Sequence, residues 1–203
     1  MSRTLVIDTA TAACSVALFD EDRLLAELHE EVGRGHAERL MPMIASLPDG
    51  GRAGRLLVDC GPGSFTGVRV GLAAARALAF GWNAPVHGYS SMAIIAAAAA
   101  STAPTLSVAI IGGHGEFFVQ AFSCDPLRPT SELASLPPGE AALAMSAEHV
   151  FGSAAEKLVE ARGHGVAHPR LPRAADALLL GELARLPASP IYGRAADAKP
   201  AAA

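Results

Sequence analysis

Apolar and polar positions along the chain follow two different periods. Residues 4–7 (Thr-Leu-Val-Ile) are a short apolar run closed by Asp8, and residues 15–19 (Ser-Val-Ala-Leu-Phe) are another. Both read as buried strands. A polar turn at Asp20-Glu21-Asp22 leads into residues 23–30, where Leu24, Ala26 and Leu28 loosely alternate with Leu25, Glu27 and His29. That alternation predicts an antiparallel strand with one wetter face. Gly33 and Gly35 break the pattern, and residues 36–46 read as a short helix with Leu40, Met43, Ile44 and Leu47 inward. Pro48-Asp49-Gly50-Gly51 reads as a loop. Residues 55–59 (Arg-Leu-Leu-Val-Asp) are again strand-like. From Val68 to Phe80 the period changes: Val68, Leu72, Ala75 and Ala79 recur at steps of four, three and four and make one face of a helix. Strands first, then helix, strand and helix, predict an α/β chain with a mixed sheet.

After Pro104 the pattern restarts. Residues 105–111 are a strand, Gly112-Gly113-His114-Gly115 a turn, and residues 116–122 its hairpin partner. This weakly repeats residues 4–19 and predicts two related lobes, 1–103 and 104–194. Residues 125–140 are Pro-containing and loop-like, and helices are expected at 147–162 and 174–186. The end, 195–203, is small and polar and is expected to be disordered.

With 203 residues and 51% apolar content, the chain can bury a sizeable core, and with 5% aromatics that core is aliphatic and alanine-rich. The net charge of −4 and pI near 6.0 argue against a chain that grips nucleic acid alone, which would carry a basic patch. Cys14, Cys60 and Cys124 are odd in number and widely spaced, fitting neither a disulfide framework nor a zinc pair. They fit buried thiols in a reducing cytoplasm. Arg3 and Asp8 leave no room for a secretory apolar region, and the longest apolar run, 92–100, is too short to cross a bilayer. No membrane association is expected.

Between the strand at 55–59 and the following helix lies Cys60-Gly61-Pro62-Gly63-Ser64-Phe65-Thr66-Gly67-Val68-Arg69. Ser64 or Thr66 can cap the helix by accepting a first-turn N–H. Glycines let another group approach the backbone or permit positive φ, which Gly67 is expected to need. Such a strand–turn–helix either cradles an anion at the helix N-terminus or is only a turn. Its spacing fits neither the P-loop nor the dinucleotide fingerprint. Ser64 does not sit in a nucleophile elbow, and Cys60 is expected to be buried rather than reactive.

The string at 61–72, Gly-Pro-Gly-Ser-Phe-Thr-Gly-Val-Arg-Val-Gly-Leu, resembles the signature of the TsaB (YeaZ-type) family. Residues 7–18, 36–44 and 85–92 resemble the family's opening strand and turn, its first helix, and the strand and turn after the motif helix. The likeness is dense over about residues 4–95 and sparse beyond. It implies an actin-like (ASKHA) fold of two ribonuclease H-like lobes. It also implies a non-catalytic subunit that docks onto the catalytic TsaD subunit, with TsaE a further candidate partner, a homodimer the alternative, and tRNA engaged only indirectly. The product of that machinery is threonylcarbamoyladenosine (t6A) in tRNA.

On this resemblance Gly61, Pro62, Gly63, Ser64, Phe65, Thr66, Gly67, Arg69, Leu72 and Arg76 are the candidate interface residues. Arg69 and Arg76 lie seven apart, on one face of the helix, where a guanidinium can pair bidentately across an interface. Asp8, Thr9 and Thr11 stand where actin-like ATPases hold a metal-nucleotide. The echoing turn, Ile111-Gly112-Gly113, lacks the second acid, and the family often has Asp-Ala-Arg there. No cofactor is therefore expected, with ATP or ADP only at an interface shared with a partner. An independent ATPase or phosphotransferase is the alternative, and a metallopeptidase a weaker one. Leu40 stands four after His36, so the chain lacks the two-histidine helix of the larger relative. His29, His87, His114, His149, His164 and His168 have no evident partner in the sequence.

Overall fold

In the computed structural model, which describes residues 3–193, two mixed sheets are built from the same path. The first contains β1 (Arg3–Asp8), β2 (Ala13–Asp20), β3 (Arg23–Glu31), β4 (Arg55–Asp59) and β5 (Val86–Tyr89) in the order β3-β2-β1-β4-β5. β1, β2 and β3 pair antiparallel, and β1, β4 and β5 pair parallel. Helices α1 (His36–Ala45) and α2 (Phe65–Trp82) make the connections to β4 and β5, and α3 (Ser91–Ala99) follows.

The second sheet contains β6 (Thr105–Ile111), β7 (Phe117–Cys124), β8 (Leu127–Pro129), β10 (His149–Phe151) and β11 (Val166–His168), ordered β11-β10-β6-β7-β8. A short β9 (Ala134–Leu136) also pairs with β7. Helix α4 (Pro138–Ala144) precedes β10, and α5 (Ala155–Arg162) connects β10 to β11. Read from β8, the second sheet repeats the first: an antiparallel three-strand meander and two parallel strands reached through helices. The chain has the actin-like fold of two ribonuclease H-like lobes, and the hairpin echo seen in the sequence is one part of a full repeat.

Side-chain alternation distributes each strand between two cores. Leu5 and Ile7 face α1 and α2, whereas Val6 faces α3 and the second sheet. Helix α3 is buried nearly all round, from Met92 through Ala97, and wedges between the sheets with Leu106, Val108 and Ile110 of β6. A helix apolar on every side belongs in such a place. That accounts for the longest apolar run in the chain. Beyond β6, Ala109, Phe117 and Val119 pack against α4 and α5.

Three local expectations are corrected. The helix expected over 147–162 begins only at Ala155, because Val150 and Phe151 pair parallel with Ser107 and Val108, and Gly152 (φ 118°) turns the chain. The helix expected over 174–186 is a 3-10 segment, Ala174–Ala184, interrupted at left-handed Gly181. Residues 125–140 hold β8, β9 and the first turn of α4 rather than a featureless loop. The tail expected to be disordered, 195–203, lies outside the described residues. No helix among the described residues is long and apolar enough to cross a membrane.

Candidate functional site

The motif turn packs against the loop that leaves β1. The backbone N–H of Ser64 donates to the carbonyl of Ala10 at 2.6 Å, and the Thr9 hydroxyl donates to the carbonyl of Gly67 at 2.7 Å. A Cβ on Gly63 would overlap the Ala10 carbonyl, one on Gly67 the Thr9 carbonyl, and one on Gly71 the Thr9 hydroxyl. Gly67 lies inside α2 with helical backbone, so it is required for close approach and not for positive φ. Ser64 caps the helix, accepting from the Gly67 N–H at 3.2 Å. The inner face Val68, Leu72, Ala75 and Ala79 is buried as its spacing predicts.

This geometry sorts the candidate interface residues. Gly61, Pro62, Gly67 and Leu72 are buried within the chain, and Gly63 is half-buried. Ser64, Phe65, Thr66 and Arg76 are exposed. Arg69 is half-buried and engaged: its guanidinium lies 3.2 Å from the Phe65 ring centroid, bonds the Phe65 carbonyl at 3.0 Å, and donates to the Tyr192 hydroxyl at 2.8 Å. Arg76 donates to the Ala188 carbonyl at 2.6 Å. Both cations therefore hold the segment that follows the last 3-10 turn. That segment also pairs Leu186 with Gly88 on the β5 edge, and Ile191 N–H with the Cys60 carbonyl at 2.8 Å.

Beneath the turn lies a carboxyl pair. The parallel register sets Ile7 beside Val58, so Asp8 and Asp59 end neighbouring strands side by side. Both are fully buried. Asp59 accepts from the Gly61 N–H at 2.8 Å and from the Ser91 hydroxyl at 2.6 Å. Asp8 Oδ2 accepts from the Tyr89 hydroxyl at 3.1 Å, whereas Asp8 Oδ1 is buried with no donor. Burial, then the neighbouring Asp59 charge, raise the Asp8 carboxyl well above the usual carboxylate range. Burial pushes Asp59 up to about 6 despite its donors. The same burial pushes the Cys60 thiol up to about 12 and Cys14 to about 11, so neither is poised as a thiolate.

A cleft of about 960 Å³ opens between the lobes. Ala10, Thr11, Gly63, Ser64, Phe65 and Arg69 form one wall, and Ile110–Gly113, His114, Glu116 and Phe118 the other. Of the three candidates for nucleotide contact, Thr11 lines this cleft; Asp8 and Thr9 lie below it, facing inward. Glu116, just beyond the 111–113 turn, is an acid on the second lobe's wall; it accepts from the Ser135 hydroxyl at 2.7 Å. His36 is buried, its Nε2 within 2.9 Å of the Thr11 carbonyl and 3.2 Å of the Ala13 carbonyl, so it braces the β1–β2 turn. His149 and His168, isolated in the sequence, meet at 3.0 Å because β10 and β11 run parallel. No motif in the sequence marks Asp59, Tyr89 and Ser91 as a cluster. Their one signal was that the strand before the motif ends in Asp, as the first strand does.

Residues 28–128 match the family model described as TsaD, tRNA N6-adenosine threonylcarbamoyltransferase. A curated Escherichia coli relative, "tRNA threonylcarbamoyladenosine biosynthesis protein TsaB", is 41% identical over 46% of this chain and 42% of its own length. The protein of the same name from Bacillus subtilis is 37% identical over 46% of this chain and 43% of its own. The chain thus matches less than half the length of these curated relatives. Among solved structures, YeaZ from Pseudomonas aeruginosa superposes with a TM-score of 0.79 at 30% identity, covering 95% of this chain and 100% of that one. The ethanolamine utilization protein EutJ from Carboxydothermus hydrogenoformans, at TM-score 0.50 and 15% identity over 88% of this chain and 90% of that one, shares the fold alone.

Proposed function

The chain belongs to the TsaB (YeaZ-type) family, and from that premise we propose that it is a non-catalytic partner subunit of a TsaD complex that makes t6A in tRNA. The observation that carries this reading is the outer face of α2. Phe80 is 92% exposed and Phe65 68% exposed, with exposed Thr66, Ala73, Arg76 and Ala77 between them and no acidic residue on the helix. Met41 of the neighbouring α1 adds apolar surface. A helix face of aromatic and small residues that carries arginine and no acid suits a protein partner more than water.

The placement of the carboxylates supports a supporting role rather than catalysis. Asp8 is spent inside the chain on Asp59 and Tyr89 and does not project into the cleft. An adenine nucleotide, if the assembly holds one, would sit where the cleft meets the partner. The net charge of −4 leaves tRNA to be gripped by the partner, in the cytoplasm where the tRNA is modified. TsaE is a further candidate partner, and a homodimer through the same helix face competes with the TsaD contact.

Gel filtration with light scattering of this chain mixed with the TsaD of its own organism tests the reading. A complex of defined mass, together with t6A formation that requires this chain, is expected. Separate elution at all concentrations, with and without ATP and magnesium, would overturn it.

A further inference from the structure

We infer that Asp8 and Asp59 share a single proton, carried on Asp8 Oδ1 and donated to Asp59, and that this proton latches the end of β1 to the motif turn and to the start of α3. The assignment follows from the donors. Asp59 receives the Gly61 N–H and the Ser91 hydroxyl, which favour the ionised form. Asp8 Oδ1 is buried with no hydrogen-bond partner, and the Ala10 backbone N–H is the last and smallest of the influences on the Asp8 carboxyl. A buried oxygen without a partner costs free energy, and a proton on that atom turns it from an orphan acceptor into a donor. Two adjacent carboxylates cannot both ionise cheaply in a dry site. Among the described residues neither has a cationic partner within salt-bridge distance.

The pair is tied into four elements. Asp8 ends β1, Asp59 ends β4, and Tyr89 ends β5 and donates to both Asp8 Oδ2 and the Ile7 carbonyl. Ser91 opens α3, its hydroxyl on Asp59 and its N–H on the Gly61 carbonyl. The other titratable groups facing the pair are Cys14 of β2 and Cys60 of the motif turn, both buried and neutral, with Arg76 acting only weakly on Cys60. None of them supplies a positive charge that would stabilise a second carboxylate.

The sign of the pH dependence is opposite to that of a salt-bridged acid. Both carboxyls are raised in the folded chain, so the native state keeps protons that the unfolded chain releases in the ordinary carboxylate range. Stability is fullest below that range. It declines as pH rises through about 6, where Asp59 titrates, and further as Asp8 is forced toward ionisation.

Infrared difference spectroscopy on the whole chain, with and without 13C-carboxyl aspartate, tests this directly. A protonated aspartyl carbonyl band is expected to persist above neutral pH in the unsubstituted protein. It should vanish in Asp8→Asn, whose amide can donate to Asp59 in place of the shared proton. The melting temperature should fall as the pH rises through about 6 in the unsubstituted protein, and the slope should flatten in Asp8→Asn. Absence of the band at neutral pH in the unsubstituted protein would overturn the inference, whether or not the variant folds. So would a band or a slope that the folded Asp8→Asn variant leaves unchanged.

Discussion

The hydroxyl of Thr9 donates to the carbonyl of Gly67 across 2.7 Å, and Gly67 has its Cα pressed against the carbonyl of Thr9 itself. The loop that leaves the first strand and the first turn of the motif helix are thereby locked face to face. Side chains at 63, 67 or 71 would separate them, which gives the spacing of three of the motif's glycines a packing cause.

Gly67→Ala is therefore expected to destabilise the chain by about 2–3 kcal/mol, the scale of overpacking a tight contact. Helix propensity favours the change by about 1 kcal/mol, so the sign itself is informative. Gly81 is the control on the same helix, since a Cβ there meets nothing within 4 Å. Gly81→Ala should be neutral or slightly stabilising. Urea unfolding of both variants checks the pair; equal effects would mean that close approach at Gly67 is unimportant.

Ser91→Ala removes a hydroxyl that donates to a fully buried carboxylate at 2.6 Å. A loss of about 1–3 kcal/mol at neutral pH is expected from the unsatisfied acceptor. Losing a donor to the charged form also pushes Asp59 further up. The penalty should therefore shrink as the pH falls and the carboxylate takes a proton. Thermal melts across acid and neutral buffers read this, and a pH-independent penalty would contradict it.

The sequence showed what is local. Unbroken apolar runs at residues 4–7 and 15–19 marked the central strands, and the steps between Val68, Leu72, Ala75 and Ala79 marked the buried face of α2. It could not show what pairing brings together. Asp59 meets Asp8 only because β1 and β4 are parallel in one register, and His149 meets His168 for the same reason in the other sheet. Val150 and Phe151 looked helical beside α5 because a three-residue strand is too short to declare a period of two. Arg69 and Arg76 looked free because nothing in their spacing reveals the segment 186–192 laid over them.

Phe80, and not Arg69, is the position that isolates a contact on the outer face of α2. Charge reversal at Arg69 would disturb its contacts with Phe65 and Tyr192 as well as any partner. Phe80 is 92% exposed and supports no buried packing, so Phe80→Glu should change stability by no more than about 0.5 kcal/mol. If the outer face of α2 meets TsaD, co-elution should fall by at least about tenfold in apparent affinity, as removal of an aromatic anchor does. Unchanged co-elution would place the contact elsewhere.

The Arg69–Tyr192 contact makes the closing segment part of the motif helix's own structure. The guanidinium sits between two rings, 3.2 Å from the Phe65 centroid and 5.6 Å from that of Tyr192, and also donates to the Tyr192 hydroxyl. At a partly exposed site such a cation–π contact is worth about 0.5–1 kcal/mol. A double-mutant cycle of Arg69→Met and Tyr192→Leu should therefore give a coupling of about that size, each change keeping apolar bulk while removing the cation or the ring. Limited proteolysis should cut within 186–193 faster in either single variant than in the unsubstituted chain. If the coupling is zero and cleavage is unaltered, the segment is held by Leu186 on Gly88 and Ile191 on Cys60 alone, and Arg69 is released for contact with a partner.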